Sequence, residues 1–300
     1  MIVFGFAISR IAYWLVLVGV AVLSGCDDSL APPECGRDAC APVEIGRDFD
    51  PATAGTIQGR VTWRGAIPKI PSYRAPVSPG NEHAGEARRM WPNPNVPRID
   101  AATKGVAGAV VFLRGIDPQR SRPWDHLPVC VELRDYQIHV CQGDREDTSG
   151  FVRRGDSIEM VSRQSLFHTL RVRGAAFFAR AFPDADRPCT QRLDRSGLVE
   201  LRSGCGYFWM HGRLFVDEHP YYTHTDAQGL FTLPQVPPGR YELVCWLPNW
   251  HEASRELDAE TALICRLTFR PPVEVVKPVQ VAPRQTQSAA FALDARQFAP

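Results

Sequence analysis

The sequence predicts an all-β fold made of two β-sandwich domains, and three observations support this prediction. The 26 prolines and 23 glycines are scattered as punctuation between short apolar runs, which is typical of a chain of many short strands. Several of these runs alternate apolar and polar residues, as a half-buried strand does. No long run with the 3.6-residue helical period follows the N-terminal segment.

The first 25 residues have the features of a secretory signal. Arg10 is the only charged residue among them, and an apolar run from Ile11 to Leu23 follows it. A basic residue, a short apolar core and small residues before the cleavage point define an export signal, and the run is too short to favour a membrane-spanning helix. We therefore expect an exported protein from which residues 1–25 are removed.

The end of this signal is more specific. The tetrad Leu23-Ser24-Gly25-Cys26 resembles the lipobox of bacterial lipoproteins. That resemblance implies that the sulfur of Cys26 carries a diacylglycerol and that Cys26 becomes the mature N-terminus. More than one acyl chain is needed for stable anchoring. We expect a lipid-anchored protein of the bacterial cell envelope that faces the periplasm or the exterior. The alternative is an ordinary cleaved signal followed by an unmodified cysteine.

The remaining elements follow in chain order. Residues 26–54 are polar and contain prolines, which predicts a flexible tether between the lipid and the folded body. Thr56–Arg64 is the first predicted strand, because its apolar residues largely alternate with polar ones. Residues 66–104 are rich in Pro, Asn and Arg and are expected to form a long loop. Gly108–Arg114 is predicted to be a buried strand.

Two further groups of strands are predicted, each bounded by turn-forming residues. The first group is Val129–Leu133, Gln137–Val140, Ser157–Ser162, His168–Arg173, Leu198–Leu201 and Tyr207–Val216. The second group is Tyr221–Thr225, Leu230–Leu233, Tyr241–Trp246, Ala262–Phe269, Val273–Val281 and Gln287–Leu293.

The segment YYTHTDAQGLFTLPQVPPGRYELVCW resembles the carboxypeptidase regulatory-like (transthyretin-like) β-sandwich. Asp226 and Gly229 are placed to form a hairpin turn, and Phe231 is placed to enter the core. The earlier runs GTIQGRVTWRG and VAGAVVFLRG look like the opening strands of the same sandwich. The resemblance implies a regulatory-like sandwich that is split between residues 55–125 and 218–295.

The segment between these halves carries QIHVC, SLFHTLRV and CGYFWMHGRLFVDEHPYY, and it resembles cupredoxin-like (plastocyanin-like) domains. The predicted architecture is therefore a regulatory-like sandwich interrupted by a cupredoxin-like domain at residues 126–217. Insertion of one domain into another is tolerated at a surface loop whose ends lie close together.

The cupredoxin resemblance implies a copper site, which needs two imidazoles, a thiolate and a weak axial thioether. His168 matches the first histidine of the motif, Cys205 approximately matches the thiolate, and Met210 matches the thioether. The second histidine is missing, because an aromatic residue stands at its position. His211 is a possible substitute for it. We therefore expect no cofactor and keep copper as the alternative.

The cysteine count predicts disulfides. There are nine cysteines, and setting aside Cys26 leaves an even number in a protein expected to be exported to an oxidising compartment. Sequence neighbours suggest the pairs Cys35–Cys40, Cys130–Cys141, Cys189–Cys205 and Cys245–Cys265. A disulfide at Cys205 would remove the thiolate that copper requires, so these two predictions compete.

Charge and motifs narrow the function. The net charge is +1 and there is no basic run, which argues against nucleic-acid binding. The chain has no serine-nucleophile elbow, zinc-protease helix or phosphate-binding loop. We expect a non-enzymatic, membrane-anchored envelope lipoprotein with a binding or structural role and an unidentified protein or glycan partner. The alternatives are a periplasmic copper-binding or electron-transfer protein, and a carbohydrate-binding module. In that module an aromatic patch of Tyr221, Tyr222, Trp246 and Trp250 would stack on the sugar, but aromatic residues more often pack in a core or at a domain junction.

Overall fold

The computed structural model describes residues 46–76, 88–260, 262 and 264–298, and the predicted all-β fold class is confirmed in them. The helices of these ranges are two short 3₁₀ turns, Pro118–Arg120 and Ala295–Phe298. No helix in the described part of the chain is long and apolar enough to cross a membrane. The predictions for residues 1–25 and for Cys26, Cys35 and Cys40 lie outside the described residues.

The strands of the described residues number 23 and are labelled β1 to β23 in chain order. Their bounds are β1 Gly55–Trp63, β2 Tyr73–Pro76, β3 Arg88–Trp91, β4 Arg98–Ile99, β5 Val106–Ala107, β6 Val110–Arg114, β7 Val129–Arg134, β8 Gln137–Gln142, β9 Arg145–Asp147, β10 Ser149–Arg153, β11 Ser157–Ser162, β12 His168–Gly174, β13 Phe178–Phe182, β14 Cys189–Arg192, β15 Gly197–Ser203, β16 His211–Asp217, β17 Tyr222–His224, β18 Leu230–Val236, β19 Gly239–Leu247, β20 Glu252–Leu257, β21 Ile264–Phe269, β22 Val273–Val281 and β23 Thr286–Leu293.

The first sandwich combines strands from both ends of the described chain. One sheet has the order β18-β1-β23, in which β1 is antiparallel to β18 and parallel to β23. The facing sheet has the order β17-β6-β19-β22. Alternating residues such as Ile57, Leu113, Leu243 and Phe291 are buried between the two sheets. The end of the predicted tether is tied to this body, because the backbone N–H of Gly46 donates to the carbonyl of Pro118 at 3.1 Å.

The second sandwich is formed by the consecutive strands β7 to β16. Its sheets have the orders β10-β16-β15-β12-β13 and β14-β11-β7-β8-β9. Leu133, Met160, Leu170 and Leu201 lie in the core between them. The predicted strand Tyr207–Val216 begins only at His211, because the preceding residues form a tight turn in which the Met210 N–H donates to the carbonyl of Tyr207 at 2.9 Å.

An aromatic seam joins the two sandwiches. The outer face of the β6–β17–β19 sheet packs on β10 and β16 through aromatic rings, including Phe112, Phe215 and Trp246. Phe112 stacks on Tyr222 with ring centroids 4.9 Å apart. Strand β6 is consequently buried on both faces, which explains why its sequence is a continuous apolar run rather than an alternating one.

Two hairpins extend from the chain segments of the first sandwich onto the second. The β2–β3 hairpin lies within residues 66–104, which were expected to be a loop, and it brings Trp91 onto Trp209 in a stack with centroids 4.4 Å apart. The β20–β21 hairpin places Leu267 against the core of the second sandwich. Both hairpins therefore cover the end of the sandwich that carries residues 204–210.

Candidate ligand-binding groove

A groove of about 380 Å³ opens between the second sandwich and the β20–β21 hairpin. One wall is the outer face of strands β12 and β15, and the opposite wall is β21 from Cys265 to Thr268. Tyr207, Phe208 and Met210, from the turn before β16, form its apolar floor. A volume of this size is in the range of small-ligand sites.

Strand alternation turns the arginines of β12 toward this groove. Leu170 and Val172 are buried in the sandwich core, whereas Arg171 and Arg173 are exposed on the opposite face. The same period acts on β15, where Glu200 and Arg202 face outward.

Pairing of β12 with β15 sets the charge pattern. Arg171 lies directly opposite Arg202, and Arg173 lies directly opposite Glu200. Glu200 forms an ion pair with Arg202 at 3.0 Å, and Arg266 of β21 forms one with the exposed Glu256 at 3.3 Å. The described residues thus line the groove with four arginines and one glutamate.

Arg171 and Arg173 have no compensating partner. Neither side chain makes a hydrogen bond or an ion pair with any residue of the described ranges. The groove is therefore positively charged, and two of its guanidinium groups remain free to bind.

His211 fixes the turn that forms the groove floor. Its Nε2 lies 3.0 Å from the carbonyl of Phe208, and since a carbonyl only accepts, this nitrogen is the donor. Burial, together with the charges of Arg213 and Arg202, holds the pKa of His211 well below its ordinary value. The ring is therefore neutral at pH 7 and has a structural contact.

The residues predicted for copper do not converge. His168 begins β12 on the core side of the sheet, whereas His211 lies on its outer face in register with Arg202. The Sγ of Cys205 lies 3.8 Å from the carbonyl of Phe167. Across the described ranges, no three His, Cys, Asp or Glu side chains are placed to hold one metal ion. His168, Cys205, Met210 and His211 are therefore not assembled into the ligand set that the cupredoxin resemblance implies.

Aromatic packing surrounds His168 instead. Its ring centroid lies 5.6 Å from that of Tyr207 and 6.5 Å from that of Tyr136. Its Nε2 contacts the Oε1 of Gln164 at 3.2 Å, while its buried Nδ1 has no hydrogen-bond partner. Burial lowers the pKa of His168, so this ring is also neutral at pH 7.

The predicted disulfides of the described residues are not formed. Cys130, Cys141, Cys189, Cys205, Cys245 and Cys265 are all free thiols. Cys245 is enclosed in the core of the first sandwich and Cys265 is exposed on β21, so these two cannot pair. Cys189 lies on β14 in one sheet of the second sandwich, whereas Cys205 follows β15 in the other.

Cys130 and Cys141 differ from the other cysteines, because they lie directly opposite each other on β7 and β8. Both are thiols in the structure. Burial and the nearby carboxylates of Glu159 and Glu132 raise the pKa of Cys130 to about 12, which keeps its thiol protonated.

The predicted sugar-stacking patch is not exposed. Tyr221, Tyr222, Trp246 and Trp250 are all buried, in the core of the first sandwich or in the aromatic seam. Their burial in two packed interfaces agrees with packing in a core or at a domain junction, and not with the alternative of a surface patch. The sequence did not predict a site at Arg171, Arg173, Glu200, Arg202 or Arg266. The alternation of HTLRVR was the one signal that could have placed the first two on a shared exposed face.

Comparison with solved structures gives similarities to copper proteins over part of the chain. A Cu(I) variant of amicyanin is 15% identical, with a TM-score of 0.24, and the match covers 30% of this chain and 81% of that one. A reduced amicyanin variant is 13% identical, with a TM-score of 0.24, over 35% of this chain and 97% of that one. The copper-containing nitrite reductase NirK from Thermus scotoductus SA-01 is 14% identical, with a TM-score of 0.25, over 35% of this chain and 25% of that one.

Nothing about metal binding follows from scores this low. No family model matches the chain, and no curated protein does.

Proposed function

We propose that this chain is a non-enzymatic, lipid-anchored protein of the bacterial cell envelope that binds a ligand in the arginine-lined groove. The observation that carries the proposal is the groove itself, in which the free side chains of Arg171 and Arg173 face an open concave space. A few polar groups placed around a partly apolar cleft are the usual composition of a small-molecule site. Anchoring through Cys26 and location in the envelope are supported by the N-terminal sequence alone.

The chemistry of the groove supports binding rather than catalysis. Its charged groups are guanidinium groups and one ion-paired carboxylate, and its histidine is neutral and bonded to a backbone carbonyl. A general base needs a pKa near the working pH and access to the reacting proton. Arginines and a histidine committed to the backbone do not meet that requirement.

The most enzyme-like pair in the described residues lies elsewhere. The Oγ of Ser149 is 2.9 Å from the Nε2 of His224, but both residues are buried at the aromatic seam, where Phe151 stacks on the histidine with centroids 4.5 Å apart. Burial and the charge of Arg145 lower the pKa of His224 to about 3. A histidine with that pKa is a weak base at neutral pH, which supports a structural role for the pair.

Ligand binding can be tested with the full chain in detergent and a panel of acidic, neutral and basic small molecules, read out as ligand-dependent shifts in Tm. We expect at least one ligand to raise Tm in the native chain and in Thr190→Trp, but not in Thr268→Trp. Thr268 lines the groove, whereas Thr190 is exposed on the opposite sheet of the same sandwich. A panel without any binder, or one that Thr268→Trp does not affect, would contradict the proposed site.

Copper binding is the second candidate function, and two observations favour it. The buried Nδ1 of His168 lacks a hydrogen-bond partner among the described residues. Cys205 is a free thiol, and it contacts the carbonyl of Phe167, the residue before His168. Titration of the full chain with Cu(I) and Cu(II), followed by mass and visible absorption, tests this alternative. A stoichiometric complex that is lost in Cys205→Ser and kept in Cys189→Ser would favour copper over the proposed function.

A further inference from the structure

We infer that the ligand of this groove is a small organic acid with at least two anionic groups, or the acidic end of a longer molecule with the same chemistry. This inference rests on the proposed binding function and adds the ligand class and the residues that select it. Guanidinium groups bind carboxylate and phosphate oxygens through paired, charge-assisted hydrogen bonds.

Arg171 and Arg202 are close neighbours in the groove. They are directly opposite on β12 and β15, where side chains of an antiparallel pair are about 4.5–5.5 Å apart at Cβ. Like charges in such a pair destabilise a sheet. Glu200 compensates Arg202 through the 3.0 Å ion pair, but nothing in the described residues compensates Arg171. An anion bound between the two strands would remove this repulsion.

Glu200 is the single carboxylate among the described residues that line the groove. Glu200 lies between Arg173 on one side and Arg213 on the other, in addition to its ion pair with Arg202. Arg213 is buried and donates to the Oδ1 of Asn95 at 2.6 Å rather than to a carboxylate. The negative charge of one glutamate is therefore set against the positive charges of three nearby guanidinium groups. Because the whole chain carries a net charge of only +1, this excess is local and does not reflect a generally basic protein.

The positions of the groove arginines constrain the size of the ligand and the spacing of its anionic groups. Arg171 and Arg173 are two residues apart on one strand face, which separates them by about 7 Å. Arg266 faces them from β21 on the other wall. Anionic groups spaced several ångströms apart would engage both walls of the groove.

The observations favour an acid over a neutral sugar. The aromatic residues that line the floor are nearly enclosed, with Tyr207 3% and Phe208 9% exposed, so they offer little ring surface for stacking. The accessible groups are the guanidinium groups of the walls. Recognition would therefore depend on charge and would weaken as ionic strength rises.

The test is calorimetric titration of the full chain in detergent with isophthalate, a rigid aromatic dicarboxylate, and with isophthalamide, its neutral analogue. We expect isophthalate to bind and isophthalamide not to bind. Arg171→Gln and Arg173→Gln should each weaken isophthalate binding at least tenfold. Arg195→Gln, which removes an exposed arginine from the β14–β15 turn, should leave the affinity unchanged.

Two further probes separate the possible sources. Tighter binding of hexaglutamate than of isophthalate would identify the acidic end of a longer molecule as the ligand, and the reverse order would identify a small free acid. Inorganic phosphate binding as tightly as isophthalate would overturn the organic part of the inference.

Failure of this inference is distinguishable from failure of the proposed function. Equal binding of isophthalate and isophthalamide, or unchanged affinity in both arginine variants, would refute acid selection. If a neutral molecule from the panel binds in a way that Thr268→Trp abolishes, the groove is a binding site and only the ligand class is wrong. If no probe and no panel member binds, both proposals fail.

Discussion

The two faces of the sheet that contains β12, β15 and β16 have opposite characters. On the inner face, His168 is fully buried and surrounded by Tyr136 and Tyr207. On the outer face, Arg171 and Arg202 stand side by side in an open groove. The His168 ring is thus enclosed by aromatic packing, while a concave, positively charged groove lies on the other side of the same strands.

The difference comes from the neighbouring hairpins. The β2–β3 hairpin brings Trp91 onto Trp209 and covers the end of the sandwich near His168. The β20–β21 hairpin forms the second wall of the groove. Elements that come from outside the second sandwich therefore decide which of its surfaces is covered and which borders an open groove.

The end of the second sandwich that the β2–β3 hairpin covers should be destabilised by Trp91→Ala. Trp91 is 1% exposed and stacks on Trp209 with centroids 4.4 Å apart, so its truncation leaves a large cavity. We expect a loss of about 3–5 kcal/mol in the free energy of unfolding. Urea denaturation measures this loss, and Met90→Ala is the matched control, because Met90 is exposed on the same strand. Equal stabilities of the two variants would show that the hairpin does not close this end.

Acid should affect the buried histidines and leave the groove arginines charged. Protonation of His224 is opposed in the folded protein, where its pKa is about 3, but not in the unfolded chain, where the ordinary value is 6.5. The unfolded state therefore takes up the proton first, and stability is complete above pH 6.5 and falls progressively toward pH 3. From this residue alone we expect the free energy of unfolding to be about 2 kcal/mol lower at pH 5 than at pH 7.

Urea unfolding at the two pH values checks this expectation. The pKa values of His126, His168 and His211 are lowered in the same direction. Acid should therefore reduce the free energy of unfolding of the native chain by more than His224 alone accounts for. The variant His224→Gln should show a shallower loss. If it showed the same pH dependence as the native chain, the burial of His224 would not be a source of acid sensitivity.

The smallest expected effect is a gain. Arg171→Gln removes the repulsion between directly opposite arginines and should raise the free energy of unfolding by about 0.2–1 kcal/mol in the absence of ligand. The same variant loses affinity in the proposal above, so stability and binding should move in opposite directions. Arg195→Gln, which has no such neighbour across a strand, should change neither quantity. A destabilised Arg171→Gln would show that this arginine serves the fold rather than a ligand.

The sequence predicted most of the fold because alternation is local. Runs such as Thr56–Arg64 and His168–Arg173 reveal strands without knowledge of their partners. Strand β13 was missed because its outward positions are the small residues Ala179 and Ala181. The turn at residues 207–210 was missed because its apolar residues continue directly into β16.

The groove was less predictable than the fold. It depends on the register that sets Arg171 opposite Arg202 and on a hairpin that arrives from a distant part of the chain. Neither relation is encoded in any single segment. The predicted copper ligands are not brought together for a related reason, because linear spacing did not reveal that His168 and His211 lie on opposite faces of one sheet.

The parallel pairing of β1 with β23 has a consequence for the order of folding. Strands β7 to β16 are contiguous and can complete their own sandwich as soon as they emerge during synthesis. Strand β1 emerges before all of them, yet its partners β18 and β23 both come after them. Contacts of such large sequence separation form slowly. The earliest strand of the described residues must therefore remain unpaired, and open to association with other chains, until β18 and β23 have been made.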